Sequence, residues 1–120
     1  MIISNPTAKL GEEIAAKYLT KLGYKIIEKN FRKGYGEIDI IATYNNILVF
    51  IEVKTRTTNL YGGAMEAIAY HKLKSLIKTA EFYKMLHPNL PESLRIDAIL
   101  IDLINGDVKN IEHLENISGF

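Results

Sequence analysis

The stretch from Tyr35 to Arg56, YGEIDIIATYNNILVFIEVKTR, constrains the fold more than any other part of the chain. Two apolar runs rich in β-branched and aromatic residues flank Asn45-Asn46, and asparagine tolerates the positive φ angles of a two-residue hairpin turn. One contact then sets the register. With Tyr44 opposite Ile47, partner numbers keep a constant sum, so Ile41 faces Phe50, Asp39 faces Glu52 and Glu37 faces Lys54. Because strand side chains alternate, this places Asp39, Glu52 and Lys54 on one face of the hairpin. Two carboxylates side by side on a half-buried sheet repel each other by something on the order of several tenths of a kcal/mol or more.

A divalent cation reverses that repulsion, since hard Mg²⁺ binds through one or two carboxylates together with water and phosphate oxygens. Lys54 would stand beside it as a compact positive charge. The plain alternative is a solvated acidic pair that Lys54 partly neutralises. It explains less, because the other residues of that face, Ile41, Leu48 and Phe50, are apolar and belong to a buried surface.

With 120 residues the chain is expected to form a single domain, residues 1–120, and to bury a core without staples. Hydrophobic residues make up 48% and charged residues 24%, the composition of an ordered globular protein. The absence of cysteine excludes disulfides, thiolate zinc sites and a cysteine nucleophile. The start MIISNPTAKLGEE has no basic segment followed by a long apolar run, and no stretch reaches membrane-spanning length, so no membrane association and a cytoplasmic location are expected. A net charge of +1 neither demands nor forbids nucleic acid.

Asn5 or Thr7 can cap a first helix, with Pro6 in its first turn, and Ile14, Ala15, Tyr18, Leu19 and Leu22 form its apolar stripe up to Gly23. Glu12 falls about 90° from the centre of that stripe and borders the core, whereas Glu13 faces water. A strand is expected from Tyr24 to Phe31, followed by a basic turn at Arg32-Lys33-Gly34. After the hairpin, a loop from Thr57 to Gly63 leads into a long helix from about Ala64 to Leu86, with Met65, Ile68, Ala69, Leu73, Leu76, Ile77, Ala80 and Tyr83 or Phe82 on its apolar face. Lys72, Lys74, Lys78 and Lys84 decorate the rest. His87-Pro88-Asn89-Leu90-Pro91 ends that helix. Leu94 to Leu103 then reads as a strand buried on both faces and interrupted by Asp97, for which a structural role with hydrogen-bond donors nearby is expected. Asn105-Gly106-Asp107 is a turn before a short edge strand, and the tail can fray or fold back through Leu114, Ile117 and Phe120. The order helix, three strands, helix, strand suits a mixed sheet flanked by helices.

These features resemble the core of the PD-(D/E)xK nuclease superfamily, an α/β, restriction-endonuclease-like fold with αβββαβ order and a mixed central sheet. More closely, GEEIAAKYL, GEIDIIA, FIEVKTR and RIDAILI resemble the small bacterial YraN (UPF0102) family, which is distantly similar to archaeal Holliday junction resolvases. An ExK alone is weak; an Asp facing an ExK on the next strand, preceded by a helical Glu, is more specific. The resemblance implies Asp39 and Glu52 as metal-binding carboxylates for Mg²⁺ or Mn²⁺, the main-chain carbonyl of Val53 as a third ligand, and Lys54 as the catalytic lysine. It assigns Glu12 an accessory part in the metal site, Glu37 the support of Lys54, and Thr55 and Arg56 a phosphate contact. The reaction implied is metal-assisted hydrolysis of DNA phosphodiester bonds, in branched or junction structures. A homodimer fits that picture, because symmetric cutting of a junction needs two active sites. The rival readings are a non-catalytic nucleic-acid-binding module and a protein-interaction domain on the same fold. His71, His87 and His113 are expected at ordinary surface or loop positions without a chemical role.

Overall fold

A computed structural model of the chain describes residues 5–57 and 70–119, with the side chains of Tyr70 and His71 also left aside. Helix α1 (Pro6–Lys21) is followed by three strands, β1 (Lys25–Lys33), β2 (Gly36–Tyr44) and β3 (Ile47–Arg56). Helix α2 (Tyr70–Leu86) then leads to β4 (Ser93–Ile104) and β5 (Asp107–Leu114). The five strands form one sheet in sequence order, antiparallel except for the β3–β4 pair. This is the expected αβββαβ order with β5 added at one edge. The expected loop beyond Thr57, the helix start at Ala64 with Met65, Ile68 and Ala69, and Phe120 lie outside the described residues. No described helix is long and apolar enough to cross a membrane.

The Asn5 side chain caps α1 by accepting from the N–H groups of Thr7 and Ala8 at 3.0 and 3.3 Å, and Pro6 fills the first turn where no donor is needed. Asn45 and Asn46 both have positive φ, 49° and 61°, so the hairpin closes as a two-residue turn with Tyr44 opposite Ile47. Alternation divides the core between two faces. Ile40, Ala42, Val49, Ile51, Ile99 and Ile101 meet Ala15, Ala16 and Leu19 of α1. Ile38, Ile41, Leu48, Phe50 and Ile96 meet Leu76, Ala80 and Tyr83 of α2. Leu22, expected in the α1 stripe, is instead an exposed C-cap residue, because the chain turns away at Gly23 with a φ of 99°. Ala16 is buried in the α1 interface.

Helix α1 approaches β3 very closely at Gly11. A Cβ there would lie 1.9 Å from Thr55 Oγ1 and 3.1 Å from Thr55 Cβ, so only a residue without a side chain allows the contact. Thr55 is therefore on the α1 face of β3.

Asp97 is fully buried and collects donors from three segments. Arg95 Nε and Nη2 donate to it at 2.9 and 3.0 Å, the Asn116 N–H donates at 2.9 Å, and His113 Nε2 lies 2.8 Å away. Arg95 also donates to the Tyr24 hydroxyl at 2.6 Å. Burial alone would raise the Asp97 pKa, but the bonds from His113, Arg95 and Asn116 outweigh it and hold the carboxyl below its usual range. The structural role expected of Asp97 is thus met. The expectation for His113 is corrected: its side chain is 7% exposed and ties β5 to β4 through Asp97. The tail folds back where Ile117 N–H donates to the Ile96 carbonyl at 2.7 Å.

Two outcomes follow from this packing. Gly11→Ala should lower unfolding free energy by about 1–3 kcal/mol through overpacking, and Thr55→Ala should recover most of that loss in the double variant, as measured by denaturant unfolding. Asp97→Ala should cost about 3–5 kcal/mol, because it strands Arg95 and His113 without their buried partner.

Candidate metal centre

The β2–β3 ladder runs from Tyr44–Ile47 to Ile40–Ile51 and stops there. Beyond that point Ile38 and Ile40, two residues apart, lie on opposite faces of the sheet, so the side-chain alternation of β2 breaks at Asp39. The β1 pairs Lys29–Ile40 and Phe31–Ile38 bracket Asn30 against Asp39, and Asn30 has a φ of 55°, so the neighbouring strand bends at the same level. Asp39 turns into the opening and accepts the Val53 N–H through Oδ2 at 2.8 Å. A side-chain carboxylate thus replaces the next rung of the ladder. The N–H and C=O of one strand residue point to the same side, so the Val53 carbonyl faces this opening as well.

Glu52, on the α2 face of β3 beyond Phe50, is 8% exposed. Its carboxyl group hydrogen-bonds with that of Asp39, and its Oε2 lies 3.3 Å from Lys72 Nζ of α2. Burial first, and then the hydrogen bond and charge of Asp39, push the Glu52 pKa up to about 8, with Lys72 opposing the rise. Near neutral pH the Glu52 carboxyl therefore holds its proton in the contact with Asp39, with the Lys72 ammonium group 3.3 Å away.

Glu12 of α1 lies on the other side of Asp39. Its pKa is raised by burial first, then by the charges of Asp39 and Glu37, against a hydrogen bond from Asn30 and the charge of Lys29. Among the described residues no three His, Cys, Asp or Glu side chains converge closely enough to hold one ion, so Glu12 borders the Asp39–Glu52 pair rather than completing a cluster. The donors at the opening are two carboxylates and a main-chain carbonyl, all hard oxygens suited to Mg²⁺ or Mn²⁺.

The remaining candidates separate. Lys54 is exposed and stands two residues beyond Glu52 on the same strand face. Glu37 does not face Lys54 as the uninterrupted register predicted, because the break at Asp39 turns it away. It pairs with Arg32 across the β1–β2 turn at 3.3 Å. Thr55 points to the opposite face, under Gly11. Arg56 is bound by Asp102, its register partner on β4, through Nε and Nη2 at 2.8 and 3.2 Å, so its guanidinium is committed to a two-point ion pair within the sheet. Sequence reasoning missed Asn30 and the particular role of Lys72. No turn pattern announces the positive φ of Asn30, and Lys72 is one of several lysines on α2.

Comparison with known proteins finds several that are similar to this chain. A UPF0102 protein of Caldanaerobacter subterraneus subsp. tengcongensis is 54% identical over 74 residues, a match spanning 62% of this chain and 61% of that protein. One from Thermodesulfovibrio yellowstonii is 45% identical over 109 residues, 90% of this chain and 91% of its own length. Another from Persephonella marina is 40% identical over 108 residues, covering 90% and 89%. Among solved structures, that of Pyrococcus furiosus SfsA in complex with Ca²⁺ is similar at 19% identity and a TM-score of 0.40, over 85% of this chain and 58% of that one. The profile of the uncharacterised protein family UPF0102 matches residues 11–101, from the α1 glycine under which Thr55 packs to the last third of β4, and the chain belongs to that family.

Proposed function

We propose that this chain is a metal-dependent endonuclease that hydrolyses DNA phosphodiester bonds, with Asp39, Glu52 and the Val53 carbonyl as its share of a Mg²⁺ or Mn²⁺ shell. The observation that carries this reading is the contact between two carboxyl groups at the place where the strand ladder opens. Such a contact keeps a proton on Glu52 in the protein alone, and a cation can take that proton's place. When bound, the ion polarises a phosphoryl oxygen and lowers the pKa of a coordinated water.

The chain's own residues do the rest. Asp39 is held in place by the Val53 N–H, so its carboxyl group is presented without rotamer search. Glu52 stands on a strand clamped by β4 along its whole length, from Ile47–Ser93 to Arg56–Asp102. Lys54, exposed beside it, offers an ammonium group to orient the attacking water or to offset negative charge on the phosphate. Glu12 adds negative potential from α1 on the far side of Asp39. A protein of this design acts on phosphates at its surface, which suits DNA with an accessible backbone, such as branched, flapped or single-stranded forms.

Purified protein with Mn²⁺ or Mg²⁺ should cut such DNA. Asp39→Ala should lose about a hundredfold or more of the rate together with the Mn²⁺-induced rise in melting temperature, whereas Lys54→Ala should lose the rate and keep the rise. Undiminished cutting by Asp39→Ala would remove the proposed site. DNA binding without turnover under either metal would instead favour a binding module on this fold.

The pH dependence has a definite sign. Glu52 titrates near 4.5 in the unfolded chain and near 8 in the folded one, so between those values the native protein holds a proton that the unfolded chain has released. Its contribution to metal-free stability is therefore complete below pH 4.5 and falls as pH rises through 8. Melting curves should show this fall, and Glu52→Gln should flatten it. At pH 7, Mn²⁺ binding should release about one proton, read by titration calorimetry in buffers of different ionisation enthalpy.

A further inference from the structure

The Lys72 ammonium group is the part of this site that the roles above leave unused. Lys72, Lys74 and Lys78 are all exposed on α2, yet Lys72 reaches across to the sheet and places its Nζ 3.3 Å from Glu52 Oε2 while its side chain stays 45% exposed. Glu52 comes from the middle of the sheet and Lys72 from a separate helix, so the contact depends on the tertiary fold. A lysine in this position supplies to the carboxylate pair the positive charge that a divalent ion would otherwise supply.

Resting on the metal-site reading, we infer that Lys72 is a positioning residue that serves as an exchangeable counterion. It holds the Glu52 carboxylate toward Asp39 before metal loading and is displaced when a divalent cation enters. Two features suit it to exchange. An ammonium on a flexible four-carbon stem makes a single-point contact, unlike the two-point clasp of Arg56 on Asp102, so it leaves without dismantling a fixed geometry. Its half-exposed side chain also has water to move into. A cation and the ammonium group close to the same carboxylate repel each other, so the lysine raises the metal concentration at which the site fills. Lys72 thereby sets a loading threshold.

The test is Mn²⁺ binding to the full chain without DNA, measured by calorimetry and by melting-temperature shift. Lys72→Met keeps the length of the stem and removes the charge, and it should bind Mn²⁺ about five- to tenfold more tightly than wild type, the scale of one unit charge near a divalent ion in a water-like surround. Lys72→Gln guards against a folding defect in the first variant and should show the same gain. Lys72→Arg, which keeps the charge, should bind no more tightly than wild type. Lys78→Met makes the same change in net charge at an exposed position on the same helix and should leave affinity within twofold of wild type, about 0.4 kcal/mol. Wild-type binding with unchanged or weaker affinity in both Lys72→Met and Lys72→Gln would overturn the counterion role while leaving the metal site standing. An equal gain in Lys78→Met would overturn it as well, since the effect would then be one of overall charge. No binding by wild type or by any Lys72 variant would bring down the metal site and this inference with it.

Discussion

The bond from the Val53 N–H to the Asp39 carboxylate is the interaction on which the rest of this site depends. An antiparallel hairpin with a two-residue turn would ordinarily zip to its end, and its side chains would alternate without interruption. Here the ladder stops at Ile40–Ile51 although β2 runs back to Gly36 and β3 on to Arg56, and a side chain takes the position of a backbone acceptor. Three consequences follow from that substitution. Asp39 is fixed at the opening between β2 and β3, Glu52 is brought into contact with it, and the Val53 carbonyl is turned toward the gap. The bend is shared by β1, where Asn30 adopts a left-handed conformation at the same level. A coincident break in two adjacent strands marks a place where pairing has been given up for geometry.

Two charged groups in this protein show how structural and chemical ion pairs differ. Around Asp97 every acceptor position is taken by Arg95, His113 or the Asn116 N–H, and the carboxyl is held ionised. That network closes the sheet edge and has no capacity for a ligand. Around Glu52 the balance runs the other way: burial and a neighbouring acid push the pKa up, and a half-exposed lysine opposes the shift. An acid kept protonated by burial and a neighbouring acid can exchange its proton for a cation; a carboxylate whose acceptor positions are all taken cannot. The clasp of Arg56 on Asp102 belongs to the satisfied kind and braces β3 against β4 just past Lys54.

Much of this was legible in the sequence because it depends on local rules. Asn45-Asn46 between two β-rich runs specified the turn, and the turn specified the register as far as Ile40–Ile51. The continuous apolar run of β4 announced a strand covered on both faces, and the apolar stripe of α1 announced the helix that covers one of them. What was illegible arose from contacts between distant segments. The break in alternation at Asp39 follows from its bond to Val53, fourteen residues away in sequence, and it moved Glu37 from Lys54 to Arg32. Thr55 was read as a phosphate contact from its place beside the ExK motif, whereas the close approach of Gly11 decides its surroundings. His113 was expected at an ordinary surface or loop position because nothing near it in sequence reveals that Asp97 lies beneath. For Glu37 a two-residue period was followed correctly until a tertiary contact overrode it.

The most direct test of the account is anomalous diffraction from crystals of the protein soaked in Mn²⁺ and recorded near the manganese edge. The account predicts a peak in the opening between β2 and β3, with oxygens of both Asp39 and Glu52 and the Val53 carbonyl at roughly 2.0–2.3 Å, the range expected for a small hard divalent ion. A manganese peak bound elsewhere on the chain, or an opening in which Asp39 and Glu52 keep their mutual hydrogen bond at saturating Mn²⁺, would contradict it.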